Sequence, residues 1–239
     1  MDRAVSHRYI GEELDLFALA TNWKRYVKKL IGAHLVGDVL EVGAGIGGTT
    51  VALHDGTAHR WVCLEPDTAQ ALRLQTMTRR ISPGDSPFVV AGSLDGIAAR
   101  PCFDCVLYLD VLEHIPDDGA ELKAASKLLR KGGHLVVLSP AHQWLFSEFD
   151  RSIGHLRRYD KKSLRQIEPP LCREKRMAYI DAAGLFLSLG NTVALKQSLP
   201  SRWQIRTWDK ICIPFSRVLD PILLERFGKS ILAVWEKTS

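Results

Sequence analysis

The stretch Val39-Leu40-Glu41-Val42-Gly43-Ala44-Gly45-Ile46-Gly47-Gly48-Thr49-Thr50 decides how the rest of the chain is read. A short apolar run enters glycines at alternate positions, Gly43, Gly45 and Gly47, with Gly48 behind them. Thr49 to Leu53 then reads as the start of a helix. Strand, tight glycine turn and helix start make a ligand cradle. Glycine takes φ > 0 and lets the backbone approach a ligand with no Cβ in the way. The helix that follows points unpaired N–H groups back at that ligand.

Two ligands fit such a turn. Gly43, Gly45 and Gly48 match G-x-G-x-x-G, with Glu65 at the distance expected of a dinucleotide fold's ribose acid. Against that reading stands Glu41, an acid at the end of an otherwise apolar strand. A carboxylate beside the turn would repel a pyrophosphate, whereas it suits a ligand with a cationic end. S-adenosylmethionine has an ammonium and a sulfonium and no phosphate. The pattern E-x-G-x-G-x-G, Glu41 to Gly47, resembles the first motif of class I SAM-dependent methyltransferases. The resemblance implies a Rossmann-like α/β fold: a seven-stranded sheet with an antiparallel last strand and helices on both faces. It also implies S-adenosyl-L-methionine as cofactor, held by Glu41, Gly43, Ala44, Gly45 and Gly47.

Size and composition agree with one large globular domain. The chain has 239 residues, 46% hydrophobic and 25% charged, with a net charge of +5. The mild basic bias suits an anionic substrate, a membrane surface or a nucleic acid, or is only a solvated basic face. Five cysteines in irregular spacing argue against a disulfide framework and for a reducing, cytoplasmic setting. Cys102 and Cys105 form a lone C-x-x-C that reads as core packing, so no metal site is expected. No apolar leader stands at the N-terminus. The most apolar run, Met177 to Leu195, is broken by Asp181, Gly184, Gly190 and Asn191, short of a membrane span.

Residues 1–36 read as one amphipathic helix or two short ones, covering the domain edge or closing over a site. In the second case Tyr9, Phe17 or Trp23 could face a substrate, with Lys24, Arg25, Lys28 and Lys29 on the far side. Residues 37–239 read as the SAM-binding domain. Between 37 and 140 strands and helices alternate: Val39–Val42, Trp61–Leu64, Phe88–Val90, Val106–Tyr108 and His134–Leu138, with helices Thr49–Leu53, Thr68–Arg80 and Gly119–Arg130 between them. Such alternation predicts a parallel sheet with ligands at the carboxyl ends of its strands. After the second strand stand Glu65 and Pro66. By the resemblance Glu65 accepts both hydroxyls of a ribose, with Asp67 near the adenosine. After the third come Ser93 and Leu94, where many family members carry an acid for the adenine; here a hydroxyl and an apolar face would serve. The run Leu109-Asp110-Val111-Leu112-Glu113-His114-Ile115-Pro116-Asp117 resembles the family's V-L-E-H segment. It implies that Leu109, Asp110 and Val111 lie beside the methyl donor. His114 is a candidate general base, or with Glu113 a buttress of the loop. Leu128 to Leu138 resembles the family's L-x-x-G-G approach to the fifth strand.

The loop 141–165 follows that strand, where an acceptor should bind. It holds Trp144, Arg157, Arg158 and Tyr159 as candidate substrate contacts and His142 and His155 as candidate bases. The alternative is a structural clasp, with the arginines bound to carboxylates such as Asp150. Asp160 should cap a helix from Lys161. Arg176–Asp181 and Ser230–Glu236 read as the last two strands. Residues 184–229 between them form an apolar, basic, helical insert: an acceptor cap, a membrane or dimer face, or a packing layer. Methyl transfer needs alignment and exclusion of water more than a fixed catalytic set. The acceptor is therefore expected to be a small molecule, anionic or partly hydrophobic, methylated at O, N or C. A nucleic-acid acceptor lacks support, since no N-P-P-Y segment follows the fourth strand. A dinucleotide-binding protein is the remaining alternative.

Overall fold

The computed structural model describes residues 12–79, 81, 86–97, 100–194 and 200–239. Its centre is a seven-stranded sheet in the order β3-β2-β1-β4-β5-β7-β6. The strands are β1 Gly37–Val42, β2 Ala58–Glu65, β3 Phe88–Ala91, β4 Phe103–Leu109, β5 Leu129–Pro140, β6 Cys172–Ile180 and β7 Ser230–Lys237. The neighbours from β3 to β5 pair in parallel, and β7 lies antiparallel between β5 and β6. This is the expected Rossmann-like order with its reversed last strand. Because β7 runs backwards, its first residues stand at the carboxyl edge of the parallel strands, where the ligand is expected.

Alternation along the strands divides the core in two. Leu40, Val42, Val106, Tyr108, Leu135 and Val137 meet Leu122, Ala125 and Leu128 of the helix Asp118–Leu128 on one face. On the other, Val39, Cys63, Cys105, Leu107, Val136 and Leu138 meet Tyr26, Val27, Ile31 and Leu53. Both faces of the strands are apolar because both are covered by helices.

The N-terminal segment forms two helices, α1 Glu12–Phe17 and α2 Thr21–Ile31. Tyr9 lies outside the described residues. After β1 come α3 Gly48–Leu53, α4 Thr68–Thr78 and α5 Asp118–Leu128. The helix before β5 ends two residues sooner than its sequence suggests. Arg130 is drawn into the sheet instead, where it bonds Asp104 at 2.6 Å and Asp38 at 2.7 Å. The strands also extend beyond their apolar centres, as in the Ala58-His59-Arg60 start of β2, because ladder hydrogen bonds do not require apolar side chains. The loop after β5 carries α6 Glu148–Ser152 and α7 Lys161–Gln166, the latter capped by Asp160 as expected. The insert holds α8 Ala182–Ala194, α9 Arg202–Thr207, one turn of π-helix over Trp208–Cys212 and α10 Ile213–Ile222.

Insert and N-terminal helices close on each other. Asp209 of the π-turn accepts the backbone N–H groups of Asn22 at 3.2 Å and Trp23 at 2.8 Å, capping α2 from a distant part of the chain. Trp208 packs against Phe17 and Trp23. Tyr26 of α2 donates to Asp220 of α10 at 2.7 Å. Asp220 also holds the N–H groups of Asp181 and Ala182 at the start of α8. The outer side of this layer is bare: Ile211, Phe215, Val218 and Ile222 form an exposed apolar stripe. Among the described residues no helix is long and apolar enough to cross a membrane.

Candidate active site

The glycine turn is shaped by its neighbours. Gly43 has φ +67, and a Cβ there would lie 2.6 Å from the Val111 side chain. Gly47 has φ +84, with Leu74 equally close. The turn is therefore pressed between the loop after β4 and helix α4, and only glycine fits. Glu65 ends β2 beside it. One carboxylate oxygen accepts the N–H of Gly45 at 2.8 Å, and the other accepts the N–H of Asp67 at 2.9 Å. Burial raises its pKa, against these two donors. Each oxygen keeps a lone pair for a further donor. Asp67 itself is spent as the N-cap of α4, accepting from Ala69 and Gln70.

Glu41 is placed differently from the sequence expectation. It lies in register with Cys63 and Leu107, in the layer that faces α2 and α3. Its carboxylate accepts Trp61 Nε1 at 2.9 Å, with Cys63 Sγ at 3.7 Å, rather than being presented to the cleft. Burial pushes its pKa up to about 7, against the donors Trp61 and Cys63 beside it. Strand alternation forces this: Val42 and Leu40 already occupy the opposite face.

Lys24 is a residue that the sequence reading placed on the wrong side. It is buried, and its Nζ donates to the Ala18 carbonyl at 3.0 Å, over Gly48. Burial lowers its pKa, and Asp209 raises it. The signal was present: Ala20, Lys24, Val27 and Ile31 share one helical stripe, and Lys24 is its only charged member. Trp23, Lys24 and Val27 line a cleft with Thr49, Leu109, Asp110 and Leu138. Trp23 and Phe17 thus stand near this end of the sheet, packed on Trp208.

Asp110 has φ +57, a left-handed conformation, and its N–H bonds the Leu138 carbonyl at 2.8 Å. Asp110 is exposed as a residue, and protein atoms crowd around its carboxyl, as for a group lining a cleft. That crowding pushes its pKa up to about 6, against the pull of His155 and Lys229. Leu109 and Val111 flank it. Ser93 is exposed after β3, while Leu94 is buried in the core beneath. Pro66 is exposed between Glu65 and Asp67.

The acceptor-side residues are largely a clasp. Arg158 is buried and grips Asp150 with two bonds, at 2.9 and 3.0 Å. This pairing, with His155, holds the Asp150 carboxyl well below the usual range despite burial. Arg157 pairs with Asp118 at 2.6 Å and donates to the Pro116 carbonyl at 2.9 Å. Tyr159 donates its hydroxyl toward Asp118 at 2.7 Å and toward the Leu112 carbonyl at 3.2 Å. Arg158 spends its bonds within residues 141–160, while Arg157 and Tyr159 tie that segment to the loop after β4. Trp144 is exposed, against His142. His142 stacks on Tyr179 and bonds the Gly228 carbonyl at 3.0 Å, which fastens β5 to the approach of β7. His114 and His155 meet edge to face, with ring centres 4.7 Å apart. His114 Nδ1 lies 3.2 Å from the Gly154 carbonyl, and burial with the neighbouring His155 lowers its pKa to about 4. Cys105 is buried within β4, and Cys102 precedes that strand, half-buried. Lys229, just before β7, is a further residue the sequence reading missed. Its pKa is lowered by burial, with Asp181 opposing.

A glycine cradle under a carboxylate, at the carboxyl edge of a sheet with a reversed seventh strand, defines a Rossmann-like protein of the class I methyltransferase architecture. Residues 15–182 match the family described as Methyltransferase domain, and the chain belongs to that family. It is similar to a demethylmenaquinone methyltransferase of Tropheryma whipplei, 29% identical over 132 residues, covering 53% of this chain and 51% of that protein. It is also similar to a ubiquinone biosynthesis O-methyltransferase of Xylella fastidiosa, 33% identical over 156 residues, covering 56% of this chain and 61% of that one. The chain spans about half the length of the curated relatives it matches. Among solved structures, coclaurine N-methyltransferase bound to N-methylheliamine and SAH shares the fold. Its TM-score is 0.62 at 12% identity, over 90% of this chain and 70% of that one.

Proposed function

We propose that this chain transfers a methyl group from S-adenosylmethionine to a small-molecule acceptor. The observation that carries the reading is the bond between Glu65 and the Gly45 N–H. In a dinucleotide fold the amides of this turn face a pyrophosphate. Here one of them is donated to a carboxylate, which would repel a phosphate and can accept the diol of an adenosyl ribose. The residues at the turn fit the donor: Glu65 for the ribose, the backbone of Gly43, Ala44, Gly45 and Gly47 for close approach, and Lys24 for the amino acid's carboxylate. An adenine would extend toward the exposed Pro66 and Ser93, with Leu94 in the core beneath, and Leu109, Asp110 and Val111 would border the reacting end. When bound, the donor's sulfonium supplies an electrophilic methyl carbon together with its own leaving group. The chain's own task is to align and to exclude water. The cover of α2, Trp23 and Trp208 serves the second purpose.

The relatives' names make demethylmenaquinone and intermediates of ubiquinone biosynthesis the first acceptors to screen. Calorimetric titration with S-adenosylmethionine, S-adenosylhomocysteine and NAD tests the donor. We expect the adenosyl ligands alone to bind. Glu65→Ala should weaken them by about 10–100-fold, the loss of hydrogen bonds to a charged group. Binding of NAD alone would make the chain a dinucleotide protein and end this reading.

A further inference from the structure

Beneath the cleft lies a cluster that the donor site does not use. Glu113, His114 and His155 each bring one potential ligand atom within 4.8 Å of the others. Glu113 is fully buried, and neither of its oxygens has a hydrogen-bond partner. The hydroxyl of nearby Ser139 is likewise without a hydrogen-bond partner. The nearest ring atom, His155 Nε2, is 3.6 Å from Glu113 Oε1, beyond hydrogen-bond reach. An unpaired buried carboxyl is costly in either protonation state. Such a group calls for an occupant.

The histidines around it are oriented as ligands are. The Gly154 carbonyl can only accept, so the His114 Nδ1 facing it carries the proton. His155 Nδ1 lies 2.8 Å from Asp150, whose carboxylate Arg158 holds ionised, so this nitrogen is protonated as well. Nε2, on the other edge of the ring, faces Glu113 and is the atom that would offer a lone pair to a cation. A carboxylate or carbonyl fixing the far ring nitrogen is the usual outer support of a metal-bound histidine. Gly154 makes this possible at φ +83, directly beside His114. Asp110 lies within electrostatic reach of both Glu113 and His155, on the cleft side.

We infer that Glu113, His114 and His155 form a binding site for one divalent transition-metal cation. Two imidazoles and a carboxylate favour borderline ions such as Zn²⁺, Co²⁺, Mn²⁺ or Fe²⁺ over Ca²⁺. Ligand bonds of about 2.0–2.2 Å require the three side chains to draw in slightly around the ion. The ion would balance the carboxylates of Glu113 and Asp110, since the Arg158 charge is already matched by Asp150. Its open position would face the cleft. On the methyl-transfer reading, and only on it, that position would bind an acceptor oxygen and ease its deprotonation. Cation binding itself stands apart from that reading. The sequence alone gave no hint, because the ligands are not spaced as a metal motif.

The test is titration of chelator-treated protein with Co²⁺, followed by visible absorption and by proton NMR. S-adenosylhomocysteine binding is measured on the same samples, so a failed donor site and a failed metal site are told apart. One equivalent of Co²⁺ should bind wild type and shift two exchangeable imidazole N–H signals far downfield. Glu113→Gln and His155→Gln should each weaken binding by more than the about 10–100-fold lost with an outer-shell partner. Should a variant not fold, the two shifted signals of wild type decide by themselves. No stoichiometric Co²⁺ binding, binding without shifted imidazole signals, or unchanged binding in both folded variants would overturn the inference.

Discussion

The two halves of the sheet's carboxyl edge are built on opposite plans. On the side of β1 to β3, the polar groups of the turn are backbone amides, and one side chain, Glu65, gathers them. Beside β4 and β5, charged side chains grip one another: Arg158 holds Asp150, Arg157 holds Asp118, and Tyr159 reaches Asp118 and the Leu112 carbonyl. The first plan leaves a surface shaped for a ligand. The second uses up groups that look like ligand binders in sequence. An arginine near a site can bind a ligand only with the N–H groups it has left, and buried Arg158 has already placed its own on Asp150 and the Ala141 carbonyl.

The strongest way to break this contrast is to cut the clasp. Arg158→Ala takes the guanidinium from the buried Asp150 and leaves it to His155 and Ser147, and should cost about 3–5 kcal/mol in urea unfolding. The half-exposed Arg157→Ala should cost at most about 1 kcal/mol. If the two substitutions cost the same, Arg158 is not the clasp's anchor. A smaller effect sharpens the other side. Glu41 has a folded pKa raised to about 7 from an ordinary 4.5. Between these values the unfolded chain ionises while the folded one does not, so stability falls as pH rises from 4.5 and levels off above 7. Glu41→Gln removes this loss. The variant should match wild type near pH 4.5 and exceed it by about 1–3 kcal/mol at pH 8 in denaturant titrations. A difference that grows toward acid would mean that Glu41 is held ionised. The smallest effect belongs to the cover. Asp209→Ala removes the cap of α2 and should cost about 1 kcal/mol. It should also raise hydrogen exchange at Asn22 and Trp23 before that of β1.

The comparison also explains what could be read from the sequence. The turn, the alternating elements, the reversed β7 and the Asp160 cap were legible because each depends on local pattern: apolar period, glycine, a capping acid. Glu65 was legible because it ends a strand. Glu41 was correctly read as unusual but assigned the wrong partner, since the Trp61 that binds it comes 20 positions later. Arg157, Arg158 and Tyr159 were located at the right edge and Asp150 was named as a partner in the clasp alternative, yet Asp118 and Leu112, and the choice of the clasp, came only with three-dimensional packing. The cluster of Glu113 with His155 was hidden for the same reason. Lys24 was the exception, a charge on an apolar stripe that a stricter helical count would have found.

The cap on α2 has a consequence in time as well as in space. A chain growing from its N-terminus makes the amides of Asn22 and Trp23 early, but their acceptor lies 187 and 186 positions further on. A nascent chain stopped before the π-turn can already form β1 and its glycine turn, while the wall above them has neither its cap nor Trp208 to rest on. The cleft is thus completed only once the π-turn has been made, and a chain cut before Trp208 is left with an open one.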